Sequence, residues 1–148
     1  MKTKYIWMAV IGLLGAALLT AAAADKKHLG GPKGGRLLEK TEPRAEFFLE
    51  EDRTATITFY DAALKPIPAG EQTVTIAADT RDGKQTIEFE KKGEVLVSKA
   101  KLPEGDGYGI VVQLRARPDA KPQNLRFKLE THVCGGCHRA EYACTCDE

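Results

Sequence analysis

Apolar side chains recur at every second position in five separate runs of this 148-residue chain, and that rhythm decides most of what it can fold into. A strand sends successive side chains to opposite faces, so strict alternation describes a ribbon with one buried face and one wet one. Over residues 54–60, Ala55, Ile57 and Phe59 share one face and the threonines the other. Residues 73–77 repeat the pattern through Val74 and Ile76. Residues 85–90 do so through Ile87 and Phe89, with Glu88 and Glu90 outside. Ile110, Val112, Leu114 and Ala116 form a fourth buried face, and Leu125, Phe127, Leu129 and Thr131 a fifth. Shorter runs at Leu37-Leu38, residues 46–49 and residues 95–97 fit the same scheme.

The breaks between runs agree with it. Pro66, Pro68, Pro118 and Pro122 fall between runs, where the missing N–H costs no ladder bond. Asp82-Gly83 reads as the centre of a two-residue type I′ hairpin, which needs positive φ at both positions. Ala69-Gly70, Lys92-Gly93 and Glu104-Gly105-Asp106-Gly107 mark further turns. Outside the N-terminal segment no stretch sustains a helical period with caps. About seven or eight short strands at regular spacing predict one all-β domain over residues 37–133, an antiparallel β-sandwich, immunoglobulin-like in general shape.

The first 24 residues read differently. Lys2 and Lys4 precede an apolar stretch over residues 5–19, and Ala22-Ala23-Ala24 offers an A-x-A cleavage site. The apolar run falls short of the roughly 20 residues that span a bilayer. A signal peptide over 1–24, cleaved before Asp25, is the expectation, and with it a periplasmic or secreted protein. Residues 25–36 follow as a Gly- and Lys-rich leader whose breakers forbid regular structure. It is either a flexible lead-in or a loop whose glycines let the backbone approach a partner closely, with His28 available as a ligand. The 22 basic and 21 acidic side chains nearly balance and are interspersed. No basic footprint for nucleic acid results. Nor does the alternation carry a catalytic constellation. Ser98, the single serine, lacks a nucleophile-elbow setting, and Glu50-Glu51 and Glu88/Glu90 read as solvated sheet positions, so no enzymatic activity is expected.

One likeness to a known family lies in the N-terminal third. His28, Gly34-Gly35-Arg36-Leu37-Leu38, Phe59-Tyr60-Asp61 and Leu64-Lys65-Pro66-Ile67 together resemble the small β domain found in periplasmic adaptor subunits of heavy-metal efflux pumps. The adaptor's long helical hairpin has no counterpart here. The resemblance implies a setting near metal handling in the cell envelope, another envelope protein as partner, and His28 as a metal ligand matching the family's histidine.

All four cysteines lie within residues 134–146, so the β domain is held without disulfides of its own. Residues 134–148 form a Cys-rich tail containing Cys134-Gly135-Gly136-Cys137-His138 and Cys144-Thr145-Cys146. Three chemistries suit it. Thiolates are soft donors for Zn or Cu(I), and Cys134, Cys137, Cys144 and Cys146 can complete a tetrahedral site, with His138 or His132 in reserve. The Cys-x-x-Cys-His element also matches covalent attachment of haem c, with His138 as proximal ligand, for a monohaem electron-transfer protein. Two disulfides that staple the tail of a structural or interaction module are the third. A soft-metal site is the reading taken forward. After signal cleavage neither membrane nor nucleic acid is an expected partner. Because the apolar faces are assigned before Cys134, removing the tail is expected to leave the fold intact.

Overall fold

The alternating runs become nine strands, all paired antiparallel, in a computed structural model that describes residues 30–146. The expected signal peptide, His28 and the last two residues lie outside the described residues. The strands are β1 (Arg36–Leu38), β2 (Arg44–Leu49), β3 (Ala55–Tyr60), β4 (Pro66–Ile67), β5 (Thr73–Thr80), β6 (Gly83–Lys92), β7 (Val95–Ser98), β8 (Tyr108–Arg115) and β9 (Gln123–Leu129). Their order is β1-β2-β3-β7-β6-β5-β8-β9, with β4 paired to β3. β6 belongs to both halves: residues 83–88 pair with β5, and residues 89–92 pair with β7. One long strand thus carries the sheet round on itself, so the domain is sandwich-like and nearly closed into a barrel. The inward faces are those of the alternation. Phe47, Ile57, Phe59, Ile76, Ile87, Ile110, Val112, Leu114 and Leu129 are all buried, each contributing about 1.5–3 kcal/mol of transfer free energy.

Three local expectations change. Pro66, expected between runs, opens β4 opposite Tyr60 of β3. The β5–β6 hairpin pairs Thr80 with Gly83, so Arg81-Asp82 forms its turn and only Gly83 is left-handed (φ 120°). Thr56 and Thr58 are buried, not wet, although they alternate with the core residues of β3. Thr58 stands opposite Glu46 in register, and Glu46 is met by the leader. Its residues from Gly30 onward fold into a tight turn, with Gly34 N–H donating to Gly31 O at 3.1 Å, over the outward face of β2 and β3. There Glu46 is fully buried. Its carboxylate accepts the Lys33 N–H (3.1 and 3.2 Å), the Gly35 N–H (2.7 Å) and the Tyr60 hydroxyl (2.6 Å). A Cβ at Gly35 would run into the Phe47 carbonyl oxygen, so only glycine permits this approach. The glycines therefore do serve a close contact, and the partner is the chain's own carboxylate. Burial, then the bond to Glu46, pushes the Tyr60 phenol above its ordinary range.

The sheet has two end strands, β1 and β9, and what lies between them corrects the largest expectation about the tail. Apolar packing does not stop before Cys134. Tyr142 and Ala143, in a single 3-10 turn (Glu141–Ala143), belong to the core, and the turn contacts both β9 and β1. The Tyr142 ring meets Phe47 of β2 edge-on at 5.5 Å and stacks on Phe127 of β9 at 6.4 Å. Phe47 and Phe127 meet edge-on at 5.5 Å, and the Arg36 guanidinium of β1 lies 4.5 Å over the Phe127 ring. Burial, opposed only weakly by Glu39, lowers the Arg36 pKa to about 10. Hydrogen bonds fix the same residue from three directions. Tyr142 N–H donates to Glu130 O (2.9 Å), Arg36 donates to Tyr142 O (3.2 Å), and the Leu49 N–H donates to the Tyr142 hydroxyl (3.1 Å).

Replacing Tyr142 by Ala opens a cavity at this seam and strands the Leu49 N–H. Urea unfolding should show a loss of about 3–5 kcal/mol. Tyr142→Phe keeps the ring packing and should cost only about 1 kcal/mol. An alanine variant as stable as the native chain would show that the tail is dispensable to the barrel.

Candidate metal centre

The cysteine segment is held as a hairpin. Residues Val133 and Ala140 form an isolated antiparallel bridge. On either side of it Cys134 N–H donates to Arg139 O (2.8 Å) and Glu141 N–H to His132 O (2.9 Å). Cys134-Gly-Gly-Cys137-His138 is the tip, closed by the His138 N–H donating to Cys134 O at 3.0 Å. The left-handed residue of this turn is His138 (φ 59°), neither glycine. Gly136 serves space instead: a Cβ there would sit 2.6 Å from the Cys146 sulfur. After the tip, the buried Tyr142-Ala143 pair anchors the return chain and delivers Cys144 in extended conformation (φ −61°, ψ 137°). Extended backbone lets residues two apart point the same way, which suits Cys144 and Cys146.

The result is a cluster of four sulfurs all within 4.8 Å of one another. The Cys134–Cys144 sulfurs are 3.3 Å apart, and Cys134–Cys146 and Cys137–Cys144 are each 3.7 Å apart. A regular tetrahedron with Zn–S bonds of 2.3 Å has S–S edges of about 3.8 Å, so these spacings suit four ligands on one ion. They are also far longer than the roughly 2.0 Å of a disulfide bond, and all four cysteines are free thiols.

Backbone amides set the electrostatics. The Thr145 N–H, then the Arg139 N–H, donates to the Cys137 sulfur and lowers its pKa to about 6. Cys144 accepts the Cys146 N–H at 3.4 Å, which favours its thiolate. The neighbouring Cys134 thiol and burial, with Cys137, nevertheless push it up to about 12. Hydrogen bonding with Cys134, then with Cys137, raises Cys146 as well. Crowded sulfurs thus favour the thiolate at Cys137 and protons at Cys144 and Cys146. A divalent cation at the centre would take over the role of those protons.

The histidines fare differently. Neither His138 nor His132 is in the sulfur group. His138 is exposed, and His132 Nδ1 faces Asp106 at 3.4 Å, also exposed. His28 lies outside the described residues. Three residues that the sequence reading passed over help build the site. Thr145 and Arg139 donate through their backbone to Cys137, and Arg139 also donates from its side chain to Gly31 O at 3.2 Å, tying the tip to the leader turn. Tyr142 is the third. Its one signal was an aromatic residue inside an otherwise polar tail. Comparison with known proteins finds no match among family models, curated proteins or solved structures.

Two outcomes test this geometry. Gly136→Ala places a methyl group against the Cys146 sulfur and should weaken ion binding by about 10–100-fold. Gly135→Ala, with nothing within 4 Å, should leave binding unchanged in the same titration. Binding at neutral pH should also release at least two protons, from Cys144 and Cys146, so apparent affinity falls about a hundredfold per pH unit on acidification. Calorimetry in buffers of different ionisation enthalpy counts those protons.

Proposed function

We propose that this chain is an exported, non-enzymatic protein that holds one Zn-class ion in a tetrathiolate site and works in metal handling at the cell envelope. The observation that carries the proposal is the gathering of all four cysteine sulfurs within 4.8 Å. A tetrahedral S4 donor set suits Zn better than Cu(I), and four protein ligands leave no open position for a substrate, as in structural rather than catalytic zinc sites. Ser98 is buried in the fold, and the carboxylates of β6 lie on its exposed face. Ser98 Oγ accepts the Ala55 N–H (2.9 Å), and Glu88 and Glu90 pair with Lys99 (2.8 Å) and Lys92 (3.0 Å).

Export is supported by Lys2, Lys4, the apolar stretch over residues 5–19 and the alanines at 22–24. In an oxidising compartment ligation would also protect the thiols. The resemblance of the N-terminal third to efflux-pump adaptors supports the envelope setting. Haem attachment is the weaker reading, because both sulfurs of the Cys-x-x-Cys element face Cys144 and Cys146.

The ion should also hold the seam between β1 and β9, since Tyr142 lies between the two ligand pairs. Ligand that binds only the folded state stabilises it, by about 2.7 kcal/mol at a hundred times Kd. Protein purified without reductant should contain one ion per chain by elemental analysis, and chelation should lower its Tm. Replacing Cys134 and Cys137 together by Ser should abolish binding; His138→Ala should keep it. Two disulfides with no bound metal would overturn the proposal, and a Soret band would replace it with the haem reading.

A further inference from the structure

The four ligands are not equivalent, and the difference concerns how an ion enters and leaves. Cys134 is fixed through its own N–H and carbonyl to Arg139 and His138. Cys137 receives two backbone amides on its sulfur. Cys144 follows the buried Ala143 and donates its N–H to Glu141 O at 3.0 Å. These three are part-buried, whereas Cys146 is exposed. Its N–H is spent on the Cys144 sulfur rather than on the barrel. Its sulfur also faces bare glycine. Gly136 beside it carries no side chain, and Gly135 has open space around its Cβ direction. Both glycines are exposed. One corner of the tetrahedron is therefore exposed and tied only within the site itself, while the other three are part-buried.

We propose that Cys146 is the exchange ligand of the site, through which the ion passes to or from a thiol-bearing acceptor. This rests on the metal-binding reading above and adds a direction and a partner chemistry to it. An incoming thiol forms a metal–sulfur bond as the bond to Cys146 breaks, and the proton of the incoming thiol passes to the Cys146 sulfur. The ion keeps four sulfur ligands throughout, and no oxidant or reductant takes part. Cys134, Cys137 and Cys144 retain it until further acceptor sulfurs displace them in turn. An acceptor carrying two neighbouring thiols completes that sequence more readily than a lone thiol, because its second sulfur is already delivered.

The test uses the full zinc-loaded chain and two readouts. Sub-stoichiometric iodoacetamide followed by peptide mass spectrometry should find Cys146 alkylated first. Transfer of zinc to pyridylazoresorcinol should accelerate with added 2-mercaptoethanol for the native chain. Cys146→Ser should still bind one ion and stay folded, and should release it at least about tenfold faster without added thiol. Cys137→Ser should instead lose the ion at equilibrium. First alkylation at another cysteine, release indifferent to thiol, or a Cys146→Ser variant that behaves like Cys137→Ser would each overturn the exchange role while leaving the metal site standing. A native chain that binds no ion would overturn both.

Discussion

A sheet that curls without closing leaves two end strands facing each other, and here that gap is filled by one aromatic side chain. Tyr142 packs on Phe47 and Phe127 and takes part in hydrogen bonds with Leu49, Glu130 and Arg36. Unpaired strand edges invite pairing with other chains, and covering them is a common remedy. The cover in this protein comes from the same hairpin that gathers the cysteines. Anything that steadies the hairpin therefore steadies the barrel, and a well-packed barrel in turn presents the sulfurs together. This is why the tail is part of the fold and no mere appendage.

The second consequence is electrostatic. Four sulfurs brought this close repel one another when ionised, and their surroundings treat them unequally. Amides from Thr145 and Arg139 stabilise the Cys137 thiolate, whereas Cys144 and Cys146 are pushed the other way by their neighbours. A divalent ion bound at the centre, as proposed, would relieve that repulsion. The donor set is soft, and four sulfurs on one ion would leave no ligand position open, which favours the proposed retention and transfer of an ion.

On the opposite side of β2 a different polar group is satisfied in the ordinary way. Glu46 is enclosed by the Lys33 and Gly35 amides and the Tyr60 hydroxyl, so a buried carboxylate is left with donors on both oxygens. The turn that supplies those amides is also the one Arg139 reaches through Gly31 O. Leader, β2 and cysteine hairpin thus share one hydrogen-bonded region, built from segments more than a hundred residues apart in sequence.

Alternation alone determined the all-β class and the inward residues of β3, β5, β8 and β9, because a two-residue period has only one structural solution; β4, at Pro66–Ile67, carries no such pattern and lies between the runs. Cysteine spacing alone nominated the site, since it puts four soft donors within thirteen residues. What the local pattern could not carry was decided by long-range packing. Glu46, Thr56 and Thr58 sit at positions whose alternation reads as wet, yet all three are buried, Glu46 because the leader's glycine turn encloses it. His138 looked like a ligand by adjacency, yet the turn sends it to solvent while Cys144 and Cys146 arrive to complete the group. Tyr142 reads as a lone aromatic in a polar tail, and only the closing of the sheet creates the gap it fills. A face is a local property of the chain; whether something covers it is settled only when the ends of the sheet meet.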